Sequence, residues 1–264
     1  MIVADTTPYT TQLQAGLGLV TETKTLLDLW TPGMTVSQLF QVALNSGRFP
    51  TVTARRLRNI VAECFAPRYL TADGVPAAHL QRLSTVVSTA DLTQLMFLFT
   101  SRANPIFGDF VRHMYWARYA GGYSQISNDD ARVFVERGID DGKTVKRWSE
   151  TTVRRISAYL TGCCADYGLL ERGSHSSRRI LPFRISTITA AYVAYELHLA
   201  GVGDNALLTH EDWLLFGLAR EDVLEEVKRL SLKGLLMVQV AGDSIRVSWK
   251  YQNMEALCNV LTEG

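Results

Sequence analysis

Between Lys143 and Arg184 the order of structural signals restricts the fold more than anything else in the chain. Val153, Ile156, Leu160, Cys163, Cys164 and Tyr167 recur at helical spacing, so they predict one buried stripe on a helix that starts after Ser149, a good N-cap residue. Gly168 stops that helix. Leu169-Leu170-Glu171 then begins a strand, Gly173-Ser174-His175-Ser176-Ser177 forms a tip, and Arg178 to Ile185 returns. A helix followed directly by a β-hairpin is the order of a winged helix-turn-helix, in which the hairpin is the wing.

The same stretch concentrates charge. It holds nine Lys and Arg against three acids, a net of +6 in a chain whose net charge is +1. Residues 34–69 form a second basic block of +4, and residues 185–264 carry −5. Such asymmetry predicts an oriented electrostatic face and makes a nucleic-acid backbone the first partner to consider. The alternative is that these cations pair with the acidic segments on folding.

Helical spacing dominates the first half. Thr35 to Asn45 reads as one helix, closed by Gly47 and Pro50, and Ala54 to Phe65 as the next, ended by Pro67. Leu57, Ile60, Val61, Cys64 and Phe65 form its core stripe, with Arg55, Arg58, Asn59 and Ala62 opposite, a helix-turn-helix-like arrangement. Segments 79–87, 90–100 and 105–119 read as packed helices. The aromatics Phe97, Phe99, Phe107, Phe110, Tyr115, Trp116 and Tyr119 are expected in the core. Gly121-Gly122 is the predicted domain boundary, and Asn128 to Asp140 begins a further helical run.

A second unit repeats the first in shape. Glu211 to Phe216 and Glu221 to Lys233 read as helices, and Leu235 to Val240 and Ser244 to Lys250 as a hairpin around Ala241-Gly242-Asp243. The outer face of its second helix, Glu225, Lys228, Arg229 and Leu232, has no net charge, so this unit reads as a packing or protein-contact scaffold. The expected fold is therefore mainly α, in two domains. Residues 1–121 form a helical domain with the helix-turn-helix-like segment, and residues 122–264 carry winged-helix units at about 127–186 and 204–250. A hydrophobic fraction of 47% supports cores of that size.

An α-helix fits the major groove of duplex DNA, while flanking residues hold phosphates. The candidate contacts are Lys143, Lys146 and Arg147 before the helix, Thr151, Arg154, Arg155 and Tyr159 on it, Arg178 and Arg179 on the wing, and Arg55, Arg58 and Asn59 in the first block. Phosphate contacts orient without reading sequence, so this inventory supports affinity more than specificity. Catalysis finds little support. The five histidines are scattered, Asp109 and His113 make a surface pair, Gly16-Leu17-Gly18 lacks the third glycine of a dinucleotide loop, and no Walker, H-E-x-x-H or nucleophile-elbow motif occurs. No enzyme, cofactor, metal site or small-molecule substrate is expected. Cys64, Cys163, Cys164 and Cys258 lack a C-x-x-C pair and read as buried small hydrophobes. The apolar runs are too short to span a bilayer and MIVADTTPYTTQLQ is unlike a secretory signal, so a cytoplasmic protein away from membranes is expected.

At FAPRYL (Phe65 to Leu70), SRANPIFGDF (Ser101 to Phe110), DARVFVERGIDDGKTVKRWSETTVRRISAYLTGCCADYGLLE (Asp130 to Glu171), RRILPFRI (Arg178 to Ile185) and GDSIRVSWKYQNME (Gly242 to Glu255), the chain resembles the BrxA family of the BREX bacteriophage-exclusion systems. The likeness covers nearly the full length. It implies a non-enzymatic, largely helical component with winged-helix elements that binds double-stranded DNA and works beside the methyltransferase, ATPase and phosphatase-like members of a BREX system. It carries over no catalytic or base-reading residue. Two other readings stay open: an adaptor that assembles BREX subunits, and an RNA-binding protein.

Overall fold

The computed structural model describes residues 7–15, 18–173, 176–242 and 244–263. Gly16, Leu17, Ser174 and His175 of the predicted tip, and Asp243 of the predicted turn, lie outside the described residues. The chain divides into two units that are discontinuous in sequence, 1–78 with 99–182 and 79–98 with 183–264. Both sides of Gly121-Gly122 thus fall in the first unit, unlike the expected cut there. Gly122, at φ +71°, ends a helix, and the strand Gln125–Ser127 that follows is hydrogen-bonded into the same unit.

In the first unit, Thr35 caps Val36–Asn45 with a reciprocal Thr35–Gln38 capping box, and Thr53 caps the helix beginning at Ala54. Leu57, Ile60, Val61, Cys64 and Phe65 are buried as their spacing predicts. Pro67, however, does not end this helix. The turn Ile60–Phe65 widens so that Ala66 N–H bonds to Val61 O, five residues back, and the helix runs on through Ala66–Tyr69. A wider turn separates the proline ring from the carbonyl it would otherwise strike. Asn104-Pro105 starts Pro105–Asp109 as expected, and a second wide turn, Phe110–Tyr115, leads into Trp116–Ala120. Phe99, Phe107, Phe110 and Tyr115 are buried, whereas Trp116 is half-buried and Tyr119 exposed.

The segment behind the wing prediction runs strand, helix, helix, strand, strand. Asn128–Asp140, with a Ser127–Asp130 capping box, packs on Glu150–Asp166, which Ser149 caps through Thr152 N–H. Every apolar position predicted on the second helix is buried. Ser177–Arg179 pairs antiparallel with Gln125–Ser127, in the register Gln125↔Arg179. On its other side Leu170 bridges Ile180, and Glu171 N–H donates to Arg179 O at 2.8 Å. The returning strand is therefore central to three short strands, shorter than the Arg178–Ile185 run expected of it. Arg184 belongs to the second unit, 4.0 Å from Glu226.

The second unit is built on Thr187–Leu199, a helix buried over nearly its whole circumference, as a helix apolar all round requires. Arg220–Leu232 and Met254–Glu263 pack against it. Leu236–Ala241 and Ser244–Trp249 form the predicted hairpin, in the register Leu236↔Trp249 to Ala241↔Ser244. Asp204 and Asn205, at the start of a short helix, accept the outward N–H groups of Val247 at 2.8 Å and Ile245 at 3.1 Å. Side-chain oxygens thus occupy the strand edge that Gln125–Ser127 covers in the first unit.

Candidate nucleic-acid interface

The site is assembled around the connection from Asp140 to Ser149. Its first cation is not available. Lys143 Nζ donates to Asp109 Oδ2 at 2.8 Å and to Tyr9 Oη at 3.2 Å, and Tyr9 Oη donates to the same carboxylate oxygen at 2.7 Å. The main chain joins them again where Tyr9 N–H donates to Lys143 O at 2.7 Å. Tyr9 lies against Gly138, where a Cβ would sit 2.7 Å from the ring. Burial raises the Asp109 carboxyl, but hydrogen bonds from Lys143 and Tyr9 outweigh it and hold the group below the usual carboxylate range. Burial and the adjoining carboxylate push the Tyr9 hydroxyl far up. Lys143, expected among the phosphate contacts, instead braces Asp109 and Tyr9, and a phosphate would have to displace that carboxylate.

Past this brace the chain turns outward. Lys146 is exposed and makes no ion pair with a described residue. Arg147 reaches Asp140 at 3.0 Å, but with side chains 78% and 62% exposed that pair is weak. These residues open onto a surface cavity of about 600 Å³ shared with Thr10, Trp148, Ser149 and Thr152. On the helix that follows, Thr151, Arg154 and Arg155 are exposed, Ala158 and Tyr159 half-buried, and neither Arg has a described carboxylate partner. Helical geometry places residues 151, 154, 155 and 158 on one face.

The strand cations are less committed to solvent. Arg178 is half-buried and donates to Glu171 O at 3.1 Å, and Arg179 meets the Glu171 carboxylate at 3.4 Å on the surface. In the first basic block, Arg55 and Asn59 are exposed, and Arg58 lies over the Phe40 ring at 5.1 Å. Their neighbour Arg56 lines a cavity of about 360 Å³ with Asp166 and Arg172, at the C-terminal end of Glu150–Asp166. Arg155 sits near the other end, about 16 Å away along a helix rising 1.5 Å per residue. Sequence reasoning missed this Arg56–Asp166–Arg172 cluster, since nothing in residue spacing joins positions so far apart. Burial raises the Asp166 carboxyl, offset in part by the Gly18 N–H it accepts at 2.9 Å.

No described helix is long and apolar enough to cross a membrane. Fold and surface together define a mainly helical protein with short antiparallel strands and an exposed basic helix face. The family model BrxA matches residues 7–196, and the chain belongs to the BrxA family, which makes it a component of a BREX phage-defence system. A crystal structure of an uncharacterized protein from Magnetospirillum magneticum is similar, with TM-score 0.58 and 15% identity over 72% of this chain and 94% of that one. At that identity the likeness is one of fold alone. Comparison with curated proteins gives no match.

Proposed function

We propose that this chain is a non-enzymatic, double-stranded DNA-binding accessory protein of its BREX system. In this reading the segment at about 127–186 acts as a winged helix-turn-helix, with Glu150–Asp166 as the helix presented to DNA. The observation that carries the reading is the pair Arg154 and Arg155, exposed on one helix face without a described carboxylate, while Lys143, Arg118 and Arg179 are each held by one. An exposed guanidinium without a carboxylate partner has no ion pair to break when it takes a phosphate. Lys146 adds charge at the helix start, Arg147 and Arg179 can exchange weak surface pairs for phosphates, and Thr151 and Ala158 leave room for close approach. Arg55, Arg58 and Asn59 form a separate, secondary contact. The protein is cytoplasmic in this reading.

Titration of a labelled duplex with wild type and with Arg154→Glu/Arg155→Glu tests it. Binding by wild type and its loss in a variant with unchanged circular dichroism is the expected result. Equal affinity in the two proteins refutes the assignment. A second reading, a subunit adaptor, draws on the charge division, since the first unit sums to +5 and the second to −4. Co-purification with other BREX subunits that survives nuclease and high salt would favour it.

A further inference from the structure

One tryptophan of the first unit is left uncommitted by the fold. Trp30 and Trp213 are buried, Trp116 packs against the Tyr115 and Tyr119 rings, and Trp249 stacks on the His198 ring. Trp148 is half-buried and has no described ring contact, cation–π contact or hydrogen bond, although the indole N–H of a covered tryptophan ordinarily finds an acceptor. It lines the cavity of about 600 Å³ between residues 9–11 and 145–152, a volume within the range of small-ligand sites. The two walls are tied together, since Tyr9 bridges Thr144 and its N–H donates to Lys143 O at 2.7 Å. Lys146, without a described ion pair, and Arg147, with its weak pair to Asp140, line the same cavity. Thr11 there has no described hydrogen bond, whereas the Ser149 and Thr152 hydroxyls bond each other at 3.0 Å.

We infer that this cavity takes one unstacked nucleotide of a DNA strand, with the base on the Trp148 ring and the phosphate on Lys146 and Arg147. The inference deepens the DNA-binding reading and rests on it. An aromatic face with two cations beside it matches a single-stranded nucleotide, since every base has a π-face and every backbone unit a charge. Paired bases inside a duplex do not reach the ring, because neighbouring pairs cover their faces. The ligand is therefore an unpaired base adjoining the duplex. The cavity opens immediately before Ser149, the cap of the helix presented to DNA, so a strand leaving a duplex held on Arg154 and Arg155 is delivered to it. A threonine hydroxyl both donates and accepts, so Thr11 suits the edge of any base and the site has no strong base preference.

Anisotropy titrations that compare a blunt duplex with the same duplex carrying a short single-stranded tail test it. Wild type binds the tailed duplex at least about fivefold more tightly, the lower end of what one base stacked on an aromatic side chain contributes. Trp148→Ala abolishes the preference, and Trp148→Phe, which keeps a ring, retains most of it. The tail also quenches the fluorescence that wild type has and Trp148→Phe lacks, a readout that a merely structural role would not move. Equal affinity of wild type for the two duplexes, or a tail that causes no such quenching, overturns the inference and leaves the DNA-binding reading standing. Absence of binding to either duplex removes that reading and the inference with it. A preference that survives in a folded Trp148→Ala protein, or a tail that binds more tightly as RNA, overturns the inference as well.

Discussion

The salt dependence of DNA binding can be worked out from which cations the fold leaves uncommitted. Lys146, Arg154 and Arg155 make no described ion pair, so three phosphate contacts set the minimum. Each contact releases condensed counterions, giving a log-log slope of affinity against salt of about −2.7. Raising salt from about 50 to about 200 mM then weakens wild-type binding about 40-fold. Arg154→Ala/Arg155→Ala leaves one of the three, a slope of about −0.9 and a loss of about 3.5-fold over the same range. If Arg147 and Arg179 exchange Asp140 and Glu171 for phosphates, both slopes steepen together, and the difference of about 1.8 stays. Fluorescence anisotropy of a labelled duplex at five or so salt concentrations measures both slopes. Parallel lines for wild type and a folded double variant would refute the argument, because the released counterions would then come from another surface.

Gly138→Ala drives a methyl group into the Tyr9 ring and should cost about 1–3 kcal/mol in urea unfolding, as over-packing does. The Asp109 carboxyl sits below its unfolded value, so it stabilises the fold fully above the ordinary aspartate range, and that contribution is lost as pH falls through the lower folded value. Unfolding followed from pH 6 downward should therefore show a decline that is shallower in Asp109→Asn, and identical profiles would contradict the Tyr9–Asp109–Lys143 account. Burial raises the Cys64, Cys163 and Cys164 thiols and lifts Cys258 to about 11. An aromatic disulfide reagent at pH 8 should thus label none of the four in the native protein and all four in denaturant.

Where local pattern decides structure, the sequence was readable. The stripes on Ala54–Phe65 and Glu150–Asp166, the caps at Ser149 and Thr35, and the second hairpin all follow from spacing and capping within a few residues. Pro67 misled because a wide turn, a main-chain adjustment without a residue signature, absorbs it. The short strand Gln125–Ser127 was missed since its partner lies more than fifty residues away and three residues give no alternation to read. Among the candidate contacts, the exposure of Arg154 and Arg155 was legible from helix phase. The loss of Lys143 to Asp109 was not, because that pair joins a connection to a helix 34 residues earlier, and no local pattern encodes their packing.

The brace at Lys143 also has a consequence for how the chain is made. Tyr9 finds its carboxylate 100 residues later and its lysine 134 residues later, so the three-residue brace is incomplete until more than half of the chain has left the ribosome. Contacts of such long sequence separation form slowly, because a large loop must close first. The connection that displays Lys146 and Arg147 therefore gains its fixed shape late in synthesis, after the earlier helices around Leu57 and Phe107 have their local sequence in hand.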